Sequence, residues 1–236
     1  MKKVLTAILF APILAFAAGA TLHLDSAPDK SNDMAALQNG AKIFVNYCLN
    51  CHSASYMRYN RLRDIGLNED QIRDNLMFTA DKVGELMRIS MRRDDAKAWF
   101  GAAPPDLSLI ARARASEHGS GADWLYTYLR GFYRDESRPT GWNNVIFENV
   151  GMPHVLWDLQ GDQVMGADHK LKLVRPGTMK PQEYDAMVGD LVAYLKYMGE
   201  PVAEFRKHLG VVVLIFLAVF FVFAYALKRE FWKDIH

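Results

Sequence analysis

Apolar positions along the chain form two long runs, with shorter periodic segments between them. The first run, residues 4–16, follows two lysines and precedes small residues suited to cleavage, which is typical of a secretory signal peptide. The second run, residues 209–227, carries no charge and approaches the ~20 residues that a helix needs to cross a membrane. We therefore expect a signal peptide over residues 1–20, with a short membrane anchor as the alternative, and a C-terminal anchor over residues 206–236.

Residues 21–205 would form the exported domain, and helical periodicity is strongest near its two ends. Asp33 is suited to cap a helix over residues 34–47, whose apolar positions recur at helical spacing. In that helix Gly40 would let another helix approach closely. A second amphipathic helix is predicted over residues 181–198, where apolar side chains share one stripe.

The middle of this domain is less regular. Asp106 or Ser108 is a candidate cap for one of its short helices, and Thr178 for the last helix of the domain. Residues 131–149 are expected to form a loop, and residues 161–177 a small two-stranded excursion. The short helices are predicted over residues 69–78, 109–115 and 123–130. The fold class is therefore mainly α, with irregular insertions and one C-terminal membrane helix.

The sequence has two cysteines, and both fall in the motif Cys48-Leu49-Asn50-Cys51-His52. C-x-x-C-H is the attachment signature of a c-type haem, because each thiol can form a thioether to the porphyrin and the histidine can ligate the iron. A zinc site would need about four ligands, and a redox dithiol would need a βαβ setting. The flanking sequence offers neither, so the motif predicts one covalently attached haem c held by Cys48, Cys51 and His52.

The residues leave the second axial ligand of the iron open between a methionine, a second histidine and none. A methionine opposite histidine raises the reduction potential, as in c-type electron carriers. Met152 is the favoured candidate, because Gly151 permits close backbone approach and Pro153 stiffens the segment. Met179 and His154 are the alternatives.

The two propionates of a haem need cationic or hydrogen-bonding partners when they are buried. Arg112 and Arg114 are candidates, because a guanidinium can bond a carboxylate through two N–H groups. Two positions apart on a helix they diverge, so only one would face the haem. The formal net charge of +1 gives no strongly basic surface of the kind that binds nucleic acid.

Together these residues resemble the cytochrome c1 family of haem subunits. The matching segments are CLNCH, APPDLSLIARAR, GMP around Met152, the DLVAYLKYMGEP helix and the single C-terminal anchor. The resemblance implies a class I cytochrome c-like domain, in which the first and last helices cross beside the haem. It also implies His52 and Met152 as axial ligands and Arg114 as a propionate partner. Trp124 stands where the family often has a tyrosine near the propionates.

The resemblance further implies a subunit of a quinol:cytochrome c oxidoreductase. Its haem would take one electron from the Rieske iron–sulfur protein and pass it to cytochrome c, without bond chemistry of its own. Cytochrome b would be a further partner, in a dimeric complex of the inner membrane with the haem domain on the periplasmic side. The alternatives are another membrane-anchored c-type carrier, and an enzyme or gas sensor with an open haem site.

Overall fold

A computed structural model describes residues 22–234 of the chain, so the signal peptide expected over residues 1–20 lies outside the described residues. The helices of the described part are, in chain order, α1 (Met34–Ile43), α2 (Glu69–Asn75), α3 (Arg93–Phe100), α4 (Ile110–Ala113), α5 (Gly121–Arg130), α6 (Trp157–Gln160), α7 (Pro181–Gly199) and α8 (Ala203–Phe231). Its strands pair antiparallel as β1 (Ala54–Arg58) with β2 (Leu86–Met87), β3 (Phe132–Arg134) with β4 (Trp142–Asn144), and β5 (Gly161–Met165) with β6 (Leu171–Pro176). The domain is mainly α, as predicted.

Helix α1 begins where the sequence indicated. The side chain of Asp33 accepts a hydrogen bond from the backbone N–H of Ala36 at 3.1 Å, which satisfies one of the free donors of the first turn. The predicted helix over residues 34–47 changes character at its end, because Phe44–Cys48 forms a π-helical turn. The chain therefore reaches the first cysteine of the motif directly from a buried helix.

Helices α1 and α7 cross in close contact at Gly40. A Cβ atom added there would collide with the carbonyl oxygen of Asp190 and lie 2.7 Å from the Cβ of Tyr194. One turn later, the rings of Phe44 and Tyr194 pack with their centroids 5.6 Å apart. The expectation that Gly40 admits another helix is thus confirmed, and the partner is α7.

Helix α5 lies against α7 and is tied to the extended segment that precedes α1. Ser120 caps α5, in a capping box with Asp123. Asp123 also accepts a hydrogen bond from the backbone N–H of Ala27 at 2.8 Å. Arg130, at the other end of α5, pairs with Asp25 at 2.7 Å and with Asp185 of α7 at 2.6 Å. Lys30 of the same N-terminal segment pairs with Asp190 of α7 at 2.6 Å, so this segment contacts both helices.

Residues 131–149 are not the plain loop that was expected, since they contain the β3–β4 hairpin. Its strands are short, and β4 includes Asn143 and Asn144, so it lacks the alternating apolar pattern that would have revealed it. Both asparagines are buried, and Asn144 donates a hydrogen bond to the carbonyl oxygen of Tyr128 at 2.8 Å. The excursion predicted over residues 161–177 is present as the β5–β6 hairpin.

None of the three proposed capping residues caps its helix, since neither Asp106 nor Ser108 caps α4 and Thr178 does not cap α7. Helix α4 has no side-chain cap, because the carboxylate of Asp106 accepts hydrogen bonds from the backbone N–H groups of Ser55 and Ser108, both at 2.8 Å. The hydroxyl of Thr178 donates to the carbonyl oxygen of Asp158 at 3.1 Å, and Lys180 is the N-cap residue of α7. These polar side chains join separate segments instead of capping their neighbours.

Helix α8 is the one helix of residues 22–234 that is long and apolar enough to cross a membrane. It contains the predicted span, residues 209–227, and none of its residues is buried against the rest of the described chain. At ~1.5 Å per residue, its 29 residues exceed a hydrocarbon core of ~30 Å. Its apolar surface is suited to contact with lipid.

The crossing at Gly40 predicts the effect of one added methyl group. The variant Gly40→Ala should lose about 1–3 kcal/mol of unfolding free energy or more, since the obstructing atom is backbone and cannot rotate away. Gly84→Ala is the matched control, because a Cβ at Gly84 meets nothing within 4 Å. Denaturant unfolding of the haem-loaded chain measures both, and equal stability of the two variants would contradict the role of the crossing.

Candidate functional site

The C-x-x-C-H motif forms a tight turn at the end of the π-helical segment. The backbone N–H groups of Cys51 and His52 both donate to the carbonyl oxygen of Cys48, at 3.1 and 2.9 Å. This turn directs all three side chains into one mostly apolar cavity of about 310 Å³. The structure therefore brings together the two thiols and the imidazole that sequence reasoning grouped.

The imidazole of His52 is oriented by the backbone of the Pro104–Pro105 segment. Its Nδ1 lies 2.7 Å from the carbonyl oxygen of Pro105, which fixes the proton on that nitrogen and leaves Nε2 as the free acceptor. Burial lowers the pKa of His52, while the Pro105 carbonyl opposes the shift. A neutral imidazole with one free nitrogen, oriented by a carbonyl behind it, is the form that ligates metals.

Met152 lines the same cavity. The phenol of Tyr128, on α5, donates a hydrogen bond to the Met152 sulfur with an Oη–Sδ distance of 3.5 Å. Val150, two residues earlier, is buried in the core, whereas Gly151 and Pro153 are exposed. The thioether is thus directed inward from a segment whose backbone runs along the surface.

The alternative ligands lie elsewhere. Met179 packs against the hydrophobic core and is not part of the cavity wall. His154 is only 2% exposed, and its ring stacks on Phe132 with the centroids 4.8 Å apart. Desolvation lowers the pKa of His154 to about 4, against a smaller opposing effect of the Gln160 side chain, so the ring is neutral at pH 7. The structure brings neither residue to the motif.

The two candidate arginines point in different directions, as their spacing on a helix predicts. Arg114 lines the cavity, with its guanidinium 4.4 Å from the ring centroid of Trp124, which is also in the wall. Arg112 lines a separate, more polar cavity beside Lys196 and Glu200. Arg114 and Trp124 therefore form a stacked pair beside the cysteine motif, and Arg112 does not belong to this site.

Sequence reasoning missed several residues of the cavity wall. Tyr128 is the most consequential of them, since it contacts the Met152 sulfur and stacks on Trp124 at 4.7 Å. Its position one helical turn after Trp124 was a usable signal, because residues at i and i+4 share a helix face. Further wall residues not named from the sequence are Tyr47, Phe100 and Phe147, while Leu191 and Leu195 of the predicted apolar stripe of α7 also lie in the wall.

The residues present fit a covalently attached haem. Two thiols, a free imidazole nitrogen and a thioether sulfur meet in one apolar cavity, with a guanidinium in its wall. Within residues 22–234, no group of three or more His, Cys, Asp or Glu side chains could hold a metal ion, which gives the zinc alternative no support. Fold and site together define a c-type cytochrome with a C-terminal membrane helix.

Comparison with known proteins identifies one family within this class of c-type cytochromes. The model of the Cytochrome C1 family matches residues 25–235. A cytochrome c1 from Allochromatium vinosum is 48% identical over 250 residues, covering 100% of both chains, and one from Rhodospirillum rubrum is 29% identical over 231 residues, covering 86% and 83%. A Nitrosomonas europaea protein named ammonia monooxygenase gamma subunit is 52% identical over 237 residues, covering 100% of this chain and 99% of that one.

The chain belongs to the cytochrome c1 family. Its members are the electron-transfer haem subunits of the cytochrome bc1 complex and carry covalently attached haem c. The predicted family, cofactor and general function are therefore confirmed, and the chain is a membrane-anchored subunit.

The contact of Tyr128 with the Met152 sulfur predicts a change in reduction potential. If Met152 ligates the iron, as proposed below, the phenol would withdraw lone-pair density from the sulfur and so disfavour the ferric state. Tyr128→Phe should lower the potential by roughly 20–60 mV, the equivalent of about 0.5–1.5 kcal/mol for one hydrogen bond. Redox titration of the haem measures the shift. Tyr126→Phe is the control. Tyr126 lies on the same helix, but its ring packs against the Arg130 guanidinium instead of Met152, so the reduction potential should not change.

Proposed function

We propose that this chain carries one electron at a time from the Rieske iron–sulfur protein to cytochrome c, within a quinol-oxidising complex. The observation that carries the proposal is the single cavity in which Cys48, Cys51, His52 and Met152 meet. When bound, the haem supplies reversible one-electron chemistry at its iron. The chain itself would supply attachment, axial ligands and the surroundings that tune the potential.

In this proposal His52 and Met152 fill both axial positions of the iron. Nε2 of His52 is free because Nδ1 faces the Pro105 carbonyl, and the Met152 sulfur is held by Tyr128. With no open position, the site would neither bind a substrate nor activate a gas. This arrangement favours electron transfer over the open-site enzyme or sensor.

Arg114 and Trp124 would lie at the propionate edge. The contacts of Arg114 in the described chain are with ring faces, those of Trp124 and Phe147. Since none of the ion pairs within residues 22–234 involves it, its N–H groups remain available for a carboxylate. The indole N–H of Trp124 would be a second donor, in place of the phenol that the family often has.

The topology proposed for the chain follows from its two apolar runs. Residues 1–20 would be removed after export, residues 21–205 would form a periplasmic haem domain, and residues 206–236 would anchor it in the inner membrane by a single span. Cytochrome b and the Rieske protein are the general partners of the family. A dimeric complex, with cytochrome c as the electron acceptor, belongs to the proposal.

Detergent purification with subunit identification tests this assignment. We expect the chain to co-purify with a b-type cytochrome and a Rieske protein, and to be reduced by quinol through them. Isolation with an oxidase or a denitrification enzyme would instead favour a different membrane-anchored carrier. Isolation with subunits of an ammonia-oxidising enzyme would favour the association that the name of the Nitrosomonas relative suggests.

The ligand assignment predicts a spectroscopic result. Met152→Ala should abolish the Met–iron absorption band and let the reduced haem bind carbon monoxide, because one axial position opens. Met179→Ala should keep both the band and the resistance to carbon monoxide, since Met179 lies outside the cavity wall. A Met152→Ala protein that retains the band would show that another residue ligates the iron.

A further inference from the structure

The segment that carries Met152 is attached to the rest of the domain on both sides of the methionine. We call residues 149–154 the strap. On its N-terminal side, the backbone N–H of Asn149 donates to the side-chain oxygen of Asn143 at 2.9 Å. Arg138 donates to the Asn149 side-chain oxygen at 2.7 Å and to its carbonyl oxygen at 3.2 Å. These three bonds hold Asn149 at a φ of 61°, a conformation that non-glycine residues seldom adopt.

His154 forms the attachment on the C-terminal side. Its ring stacks on Phe132 at an interplanar angle of 4°, and the edge of Trp142 meets it with the centroids 5.0 Å apart. Its Nε2 is buried and makes no hydrogen bond of ordinary geometry within the described chain. Ring stacking therefore holds this end of the strap.

Apart from Gln160 beside the His154 ring, the partners at the two attachments belong to the β3–β4 hairpin. Phe132 lies on β3, Trp142 and Asn143 lie on β4, and Arg138 lies in their connection. The hairpin is itself braced, because Arg134 stacks on Trp142 at 3.8 Å and pairs with Asp162 of β5 at 3.0 Å. One stiff element thus holds the strap before and after the methionine.

We propose that the β3–β4 hairpin is a clamp that keeps the Met152 sulfur in the cavity, with Arg138, Asn149 and His154 as positioning residues. The proposal rests on Met152 being the iron ligand. A thioether is a neutral ligand that small molecules can displace, and Gly151 and Pro153 on either side of Met152 are exposed. The clamp fixes the backbone at Asn149 and at His154, on either side of these two residues. The Met152 sulfur therefore has less conformational freedom to lose when it binds the iron.

The N-terminal attachment is tested with Arg138→Gln and Asn149→Gly in the haem-loaded, full-length chain. Glycine keeps the positive φ while removing the side-chain oxygen that Arg138 contacts. Each variant should raise the rate at which carbon monoxide replaces methionine on the reduced haem by about five- to tenfold. The double variant should exchange at the rate of Arg138→Gln alone, because the hydrogen bond that Asn149→Gly removes is one of the two that Arg138→Gln already removes.

Arg175→Gln is the matched control. Arg175 pairs at 2.7 Å with Asp162, the residue that also pairs with Arg134 of the hairpin. Arg175 touches no strap residue, so Arg175→Gln should leave the exchange rate unchanged. Thermal unfolding is measured in parallel. A general loosening of the domain would accelerate exchange in Arg175→Gln as much as in Arg138→Gln, and this result would overturn the proposal.

The C-terminal attachment is tested with a conservative pair of variants. His154→Phe keeps a flat ring between Phe132 and Trp142 and should exchange at the wild-type rate, because ring stacking is what the proposal holds responsible for this attachment. His154→Ala removes the ring and should accelerate exchange. Equal rates for the two variants would contradict stacking as the means of attachment.

The remaining outcomes separate the clamp from the ligand assignment. If Met152→Ala abolishes the Met–iron band while Arg138→Gln and Asn149→Gly exchange at the wild-type rate, the clamp is overturned and the ligand assignment stands. If Met152→Ala retains the band, the ligand assignment fails and the clamp fails with it. Should Arg138→Gln not fold, Asn149→Gly and the His154 pair decide the question.

Discussion

The close crossing of α1 and α7 at Gly40 is the contact on which the haem site depends. Helix α1 leads into the π-helical turn that ends at Cys48, and α7 contributes Leu191 and Leu195 to the cavity wall. The attachment motif and that wall are therefore set by how near the two helix axes come. A side chain at Gly40 would separate them, and the same interface buries Tyr194 completely. The packing of these two helices therefore determines both the stability of the core and the geometry of the cofactor site.

The opposite side of the cavity is built by different means. Helix α5 supplies Trp124 and Tyr128 from a well-capped helix, whereas Met152 comes from a surface strap without secondary structure of its own. A ligand on irregular backbone needs external supports, and Tyr128 and the β3–β4 hairpin provide them. The two proposed axial ligands thus rely on unlike structures. His52 depends on a turn fixed by core helices, and Met152 on hydrogen bonds and ring stacking.

The sequence predicted those parts of the site that local chemistry determines. The motif located Cys48 and His52, and helical spacing predicted that only one of Arg112 and Arg114 would face the site, while the family resemblance selected Arg114. The hairpin was not predicted because its short strands lack alternating apolar residues and β4 contains two asparagines, Asn143 and Asn144. The role of Asp106 was not predicted because its carboxylate accepts a hydrogen bond from the backbone N–H of Ser55, 51 positions earlier in the chain, in addition to that of its neighbour Ser108. Long-range use of a polar side chain leaves no periodic signal, so the supports of the site were harder to predict than its ligands.

The connection between α7 and α8 relates the site to the membrane. Helix α7, which lines the cavity, is followed by α8 after residues 200–202. In this connection Glu200 donates its backbone N–H to the carbonyl oxygens of Lys196 and Tyr197 at 3.2 and 3.1 Å, and its side chain pairs with Arg206 of α8. Flexible tethers have neither such bonds nor so few residues. A wall of the cavity is thus joined to the anchor by a short, hydrogen-bonded connection, which suits a site held at a fixed distance from the membrane.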